Sequence, residues 1–364
     1  MKQEIEVPSG RFFELSIDYQ TDSVLAPMIW ITDTSKKKKP IRMIPLPNSP
    51  ERSTFRTRLN MGKQSGAVSL QLCPGTRSEN LLKDHAHPNS THPGQVDFHS
   101  ISIKPSSFSE PEVARINGGF RTETVVYKTV GDLELVLMLD LPENPPTEKM
   151  PVAFWVHGGG WVTGSPKDLV WRTSQLAPRG IVNARVQYRL IKQEGTFPGT
   201  FHDLLDAMQW LRNHADEYNM DMSRLVIAGG SAGGQLSSIL AQKTPECIGY
   251  IGMCGLYNTV DIGNGRFGRS KKFMLDDPQI IRSASAIHNI RKNPPAALLI
   301  HGKADATIDY MQAVYFAEEL RKHGGKAETL ILEGTGHGFG YPYAVNQAID
   351  RFLSSLGFPE EPLK

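Results

Sequence analysis

A serine, an acid and a histidine follow one another along the chain as Ser231, Asp305 and His337, each just past an apolar, strand-like run. The serine has the most distinctive surroundings. Val226-Ile227-Ala228 suits a short buried strand, Gly229-Gly230-Ser231-Ala232-Gly233 follows, and Gln235 to Gln242 can continue as a helix. A strand-turn-helix junction this sharp strains its central residue and excludes bulk two positions to either side, where Gly229 and Gly233 stand. The hydroxyl is thereby lifted above the sheet edge as a nucleophile. The competing reading is a glycine-rich turn that cradles phosphate. That turn needs a following Lys-Ser/Thr pair or a dinucleotide spacing, and neither is present.

A nucleophilic serine also needs a base, an orienting acid and a place for negative charge. His337 lies in Glu333-Gly334-Thr335-Gly336-His337-Gly338-Phe339, directly after the run Thr329-Leu332, where an imidazole can reach the serine. Asp305 lies on the loop after the preceding strand, in His301-Gly302-Lys303-Ala304-Asp305. Asp309 is read as starting or capping the next helix, and His301 as packing within the fold. The charge-holding part is His157-Gly158-Gly159-Gly160-Trp161, after the strand Val152-Val156. Glycines leave backbone N–H groups unshielded, so those of Gly159 and Gly160 can join that of Ala232 around an oxyanion. Each such donor is worth about 3 kcal/mol to the chemical step. His157 is read as organising this loop rather than exchanging protons.

These positions require a particular scaffold. From Thr122 onward, strand-like runs alternate with helical ones, the signature of crossover connections and a mostly parallel sheet with helices on both faces. In the predicted helix Phe201-His214, Phe201, Leu204, Leu205, Met208 and Leu211 recur at helical spacing as a core face. Asp203, three residues after Thr200, reads as part of a helix cap. The stretch from Arg11 to Ser107 instead alternates short β-type runs with turns, as an all-β sandwich does. The expected organisation is therefore a sandwich-like domain over 1–107, a linker over 108–119 and an α/β domain over 120–364.

Composition narrows the partners. The 40 basic and 38 acidic side chains leave a net charge of +2, which gives no electrostatic reason to expect nucleic acid or an anionic membrane. The run Lys36-Lys37-Lys38-Lys39 is read as a solvated hairpin loop before Pro40. His85, His87, His92 and His99 invite a metal reading, but the prolines, glycine and Asn-Ser pair among them favour a polar loop, so no metal site is expected. Three cysteines cannot all pair within the chain, the N-terminus lacks a signal-peptide core, and no run is long and apolar enough to span a membrane. A reduced, cytoplasmic protein is the expectation.

Residues from about 120 to 356 resemble the α/β-hydrolase fold. The motifs His157-Gly158-Gly159-Gly160-Trp161, Tyr188-Arg189-Leu190, Phe197-Pro198, Gly229-Gly230-Ser231-Ala232-Gly233, Asp305 and Gly336-His337-Gly338 look like bacterial esterases of the hormone-sensitive-lipase and feruloyl/acetyl-xylan-esterase type. The order serine, acid, histidine is theirs too. The resemblance implies carboxylic-ester hydrolysis without metal or organic cofactor. It gives the triad role to Ser231, Asp305 and His337 and the oxyanion role to Gly159, Gly160 and Ala232, with Trp161 and Tyr188 expected to touch substrate. One departure matters: relatives of hormone-sensitive lipase carry a helical cap ahead of the His-Gly-Gly-Gly loop, where this chain has a β-rich region. A site without a deep lid suits bulky alcohols, so the expected substrate is a saccharide or related alcohol bearing acetyl or another small acyl group. Residues 257–285, including Arg266, Phe267, Arg269, Lys271 and Lys272, read as a short lid or a solvated loop. An amide or formamide hydrolase would use the same triad. A non-catalytic binding protein is disfavoured because no triad member is missing. The sequence leaves a homo-oligomer open.

Overall fold

The computed structural model describes residues 2–7, 12–21, 28–33, 40–45, 49–60, 66–73 and 96–105 as backbone, and residues 120–261, 272–338 and 343–363 with side chains except at 170, 171 and 343. The chain divides into two compact units, Met1–Asn117 with Gly340–Gln347, and Gly118–Phe339 with Ala348–Lys364. In the first, strands β1 (Lys2–Val7), β2 (Phe12–Thr21), β3 (Met28–Asp33), β4 (Pro40–Pro45), β5 (Ser49–Asn60), β6 (Gly66–Cys73) and β7 (Val96–Pro105) form two antiparallel sheets, ordered β1-β6-β3-β4 and β5-β2-β7. The Lys36-Lys39 run, His85, His87, His92 and the linker expected over 108–119 lie outside the described residues.

In the second unit the run Met150-Pro151-Val152-Ala153-Phe154-Trp155-Val156 has no polar alternation, so as a strand it must be covered on both faces. It forms β10 (Met150–Val156), buried at every position. Around it lie β8 (Phe120–Val130), β9 (Leu133–Pro142), β11 (Val182–Val186), β12 (Met220–Gly230), β13 (Cys247–Met253), β14 (Ala296–Gly302) and β15 (Ala327–Leu332), in the order β8-β9-β11-β10-β12-β13-β14-β15. The six strands from β11 to β15 in that order are parallel, while β9 runs antiparallel to both β8 and β11. The mostly parallel sheet expected from the alternation is thus borne out, with an antiparallel hairpin at one edge. Each fully buried Val, Ile, Leu or Phe along these strands contributes about 1.5–3 kcal/mol relative to an exposed one.

Among the described residues the α-helices are α1 (Val170–Leu176), α2 (Gly199–Asn213), α3 (Ala232–Lys243), α4 (Pro278–Ser283), α5 (Met311–Lys322) and α6 (Tyr343–Ser355). The α2 face behaves as its spacing requires, burying Phe201, Leu204, Met208 and Leu211. Asp203 corrects the capping reading. It is buried in α2 and accepts hydrogen bonds from Arg189 Nε at 2.8 Å, the Arg189 backbone N–H at 3.2 Å and Lys128 Nζ at 2.8 Å. A buried carboxylate needs such donors, and these tie the Tyr188-Arg189-Leu190 segment to α2.

Candidate active site

Parallel strands deliver their C-terminal ends to one edge of a sheet, and ligands of such folds bind beyond that edge. Here β10 leads into the His157 loop, β12 into Ser231, β14 into Asp305 and β15 into His337. Four segments distant in sequence therefore meet at one place.

Ser231 occupies the turn between β12 and α3 with φ 54° and ψ −123°, a conformation that costs a non-glycine residue about 1–3 kcal/mol. Its backbone N–H donates to the Met253 carbonyl oxygen at 2.8 Å, which pins the turn to the end of β13. Gly233 shows why bulk is excluded: a Cβ there would lie 2.3 Å from the carbonyl oxygens of both Val156 and His157. The strain at Ser231 is held by backbone packing rather than by its side chain.

The hydroxyl has a partner. His337 Nε2 is 2.9 Å from Ser231 Oγ, and His337 Nδ1 is 2.7 Å from Asp305 Oδ2. A carboxylate only accepts, so Nδ1 carries the hydrogen and Nε2 is left with a lone pair facing the serine hydroxyl. Asp305 is itself held from four sides. Its Oδ1 accepts from the backbone N–H groups of Thr307 at 2.8 Å and Ile308 at 3.0 Å, and its Oδ2 accepts from His301 Nε2 at 3.1 Å as well as from His337. Burial alone would raise the Asp305 pKa, but the hydrogen bonds from His301 and His337 and the nearby imidazole outweigh it and hold the carboxyl well below the usual range. The Ala304 N–H donates to the Thr335 carbonyl oxygen at 2.9 Å, joining the acid loop to the histidine loop. Asp309 accepts from the Met311 N–H at 2.9 Å, a local turn contact at the start of α5.

The His157 loop lies against the serine. A Cβ on Gly158 would be 3.3 Å from Ser231 Cβ and 2.9 Å from the Gly230 carbonyl oxygen. Val162 and Thr163 donate their N–H groups back to the Gly159 carbonyl at 3.2 and 3.1 Å, closing a tight turn. Among the described residues, nothing accepts from the N–H groups of Gly159 and Gly160. Ala232 begins α3, where first-turn N–H groups have no intrahelical acceptor and the helix dipole is positive. The three donors expected to face an oxyanion are thus unspent or at a helix start.

Two expectations are corrected. Tyr188 does not face a substrate: it is 1% exposed, its hydroxyl donates to the His157 carbonyl at 2.7 Å, and its ring stacks on His157 with centroids 4.2 Å apart. Its role is to back the loop. Trp161 is also packed inward, 5% exposed, stacked on Phe273 at 4.8 Å, with its indole N–H donating to Gln235 Oε1 at 3.3 Å. Neither ring offers the face that substrate contact requires. His157 matches its structural reading. Its Nδ1 donates to the Gly158 carbonyl at 2.8 Å, and burial holds its pKa below the ordinary imidazole value.

Sequence reasoning missed His301 as a partner of Asp305, because a histidine ending an apolar strand reads as core. Of the segment 257–285, residues 262–271 lie outside the described residues, including Arg266, Phe267, Arg269 and Lys271. Among the described residues, the group whose donor atoms could surround a metal ion is Cys254, Asp305 and His337, within 4.8 Å of one another. A cation there would have to displace the His337–Asp305 hydrogen bond.

The fold has close parallels among solved structures. Esterase 2 of Thermogutta terrifontis, in the form phosphonylated by sarin, superposes with a TM-score of 0.61 at 25% identity, covering 66% of this chain and 96% of that one. The second unit has the α/β-hydrolase fold. The propionate-bound form of the same esterase superposes with a TM-score of 0.58 at 26% identity, covering 66% of this chain and 97% of that one. Two family models match within the second unit, one described as BD-FAE over residues 137–249 and one as TAP-like protein over residues 280–362. Esterase LipC of Mycobacterium tuberculosis is 31% identical over 222 residues, which cover 54% of this chain and 55% of LipC. The chain thus spans about half the length of that relative.

Proposed function

We propose that this α/β hydrolase is a serine carboxylic-ester hydrolase that removes acetyl or another small acyl group from a saccharide or related alcohol. The observation that carries the proposal is the continuous relay from Ser231 Oγ through the His337 imidazole to Asp305 Oδ2, with links of 2.9 and 2.7 Å.

In the first half-reaction Ser231 Oγ attacks the ester carbonyl carbon as its proton passes to His337 Nε2. The carbonyl oxygen becomes an oxyanion facing the N–H groups of Gly159, Gly160 and Ala232, each worth about 3 kcal/mol in the transition state. Asp305 stays ionised and stabilises the imidazolium. Collapse of the tetrahedral intermediate breaks the bond to the alcohol oxygen, which leaves with the proton from His337. In the second half-reaction His337 takes a proton from water, the hydroxide attacks the acyl-enzyme, and collapse returns the proton to Ser231 and releases the carboxylic acid.

The small acyl group is supported by the propionate-bound state of the Thermogutta esterase. The bulky alcohol is supported by the chain ahead of His157: from Phe120 to Val156 it forms β8, β9 and β10, with no helix among the described residues to cap the site. A substrate panel tests the proposal. Acetylated oligosaccharides and aryl acetates are expected to be turned over faster than long-chain acyl esters and formamides. Preference for formamides, or failure on every sugar ester, would overturn the corresponding part.

A further inference from the structure

His301 is the penultimate residue of β14, with its side chain wholly buried. Its Nε2 lies 3.1 Å from Asp305 Oδ2 and 3.0 Å from the Ile308 carbonyl oxygen. Both are acceptors only, so Nε2 carries a hydrogen shared between them. Its Nδ1 is buried without a hydrogen-bond partner among the described residues. A second N–H at that position would leave a donor on a buried cation with nothing to accept from it, a state far costlier than a bare lone pair. Nε2 of His301 is therefore the donating nitrogen, and its hydrogen bond to Asp305 is fixed in direction.

We infer that His301 is a positioning residue of the triad: it locks the Asp305 carboxylate in the orientation that faces His337 and divides the charge on Oδ2 between two imidazoles. The inference rests on the reading of Ser231, His337 and Asp305 as a working triad. Its physical content is a trade. With Thr307 and Ile308 holding Oδ1 and His301 holding one side of Oδ2, the lone pair offered to His337 Nδ1 is the one left over, so the imidazole cannot swing away from Ser231. The same donation withdraws negative charge from Oδ2, so the carboxylate attracts a proton onto His337 less strongly than a singly bonded one would. His301 thus keeps His337 oriented toward Ser231 and lowers the negative charge that faces it.

Among the described residues, the ionisable groups around Asp305 are His301 from β14, His337 from the loop after β15, and the Cys254 thiol after β13, which falls within the same 4.8 Å cluster as Asp305 and His337. Lys303 on the acid loop is exposed and paired with Glu333 at 2.6 Å.

The test compares wild type with His301→Leu, which removes the donor, His301→Gln, whose amide can present an N–H near the Nε2 position, and His301→Asn, whose amide is too short to do so. Two readouts are taken on each: kcat/KM for an aryl acetate from about pH 5 to pH 9, and the NMR titration of the His337 imidazole without substrate. His301→Leu and His301→Asn are expected to move the acid limb and the imidazole midpoint upward by roughly 0.5–1 pH unit and to lower kcat about tenfold, with KM changed less than about twofold. His301→Gln is expected to restore most of both. A folded Leu or Asn variant with lower kcat but an unmoved midpoint would show that His301 only fills space and would overturn the inference. So would a Gln variant no better than Asn, which keeps the test alive if Leu does not fold. The imidazole titration needs no turnover, so it decides the role of His301 even if ester hydrolysis itself proves wrong. Normal ester turnover with an unmoved midpoint would sink the inference alone.

Discussion

His337 Nε2 sits 2.9 Å from Ser231 Oγ although 106 residues separate them in the chain. The sheet order explains how. Strands β12 and β15 have two strands between them, and the parallel register through β13 and β14 brings Gly230, Met253, Ile300 and the loop after Leu332 to a common edge. The contact is therefore a product of the whole sheet, and it gives single substitutions at the edge large, specific effects.

Asp305→Asn keeps the size of the side chain but can present an N–H toward His337 Nδ1, favouring the tautomer with its hydrogen on Nε2, where it can no longer accept the Ser231 proton. A fall in kcat of about 10³–10⁴-fold is expected, with KM little altered. Steady-state kinetics on an aryl acetate checks this; a loss below about tenfold would place the orienting acid elsewhere.

Tyr188→Phe removes the hydroxyl that donates to the His157 carbonyl at 2.7 Å and leaves that buried oxygen without this partner. The cost is expected at about 1–2 kcal/mol of stability. Because the oxyanion loop loosens while the triad is untouched, kcat should drop several-fold with the acid limb of the pH profile in place. Thermal melts and kinetics together check it. A variant with wild-type stability and a raised KM would restore the substrate-contact reading of this tyrosine.

Stability should decline as pH falls below neutrality. Burial lowers the His157 pKa, so the unfolded chain takes up a proton near pH 6.5 while the folded loop does not. That contribution is complete above about pH 6.5 and drains away as pH drops toward the lowered folded value. Burial also lowers the value for His288, which adds to the same slope. Asp305 follows in a more acidic window: its depressed pKa gives stability present above about pH 3.9 that is lost as pH falls toward the folded value. Melting temperatures of wild type and His157→Gln between about pH 5 and pH 7.5 measure the first window. The variant should be less stable overall but should flatten there; an unchanged slope would contradict the buried neutral imidazole.

Much of this site was legible because its chemistry is written in local spacing. Gly-x-Ser-x-Gly between a strand and a helix, and a glycine triplet after a buried strand, dictate backbone geometry that tertiary context can hardly alter. Asp305 and His337 could be chosen because each follows a strand in a parallel alternation, which places both at one edge. What stayed hidden depends on direction and distant partners. Tyr188 and Trp161 were expected to touch substrate, but residue type does not say which way a ring packs, and both turn inward. Asp203 looked like a cap because its partners Arg189 and Lys128 lie 14 and 75 residues away. His301 looked like core, and it is, with Asp305 as its neighbour there. The antiparallel β8–β9 hairpin was readable as two strands, while their direction is set by pairing with β11.

A Ser231 hydroxyl activated by His337 is expected to react with organophosphorus reagents as a nucleophile. Incubation with a fluorophosphonate probe, followed by peptide mass spectrometry, tests it most directly. One phosphonyl adduct per chain is expected, located on Ser231, with ester turnover lost in proportion to labelling, no adduct on Ser231→Ala, and about a 10⁵–10⁶-fold lower kcat for that variant. An adduct on another residue, or Ser231→Ala hydrolysing esters at the wild-type rate, would contradict it.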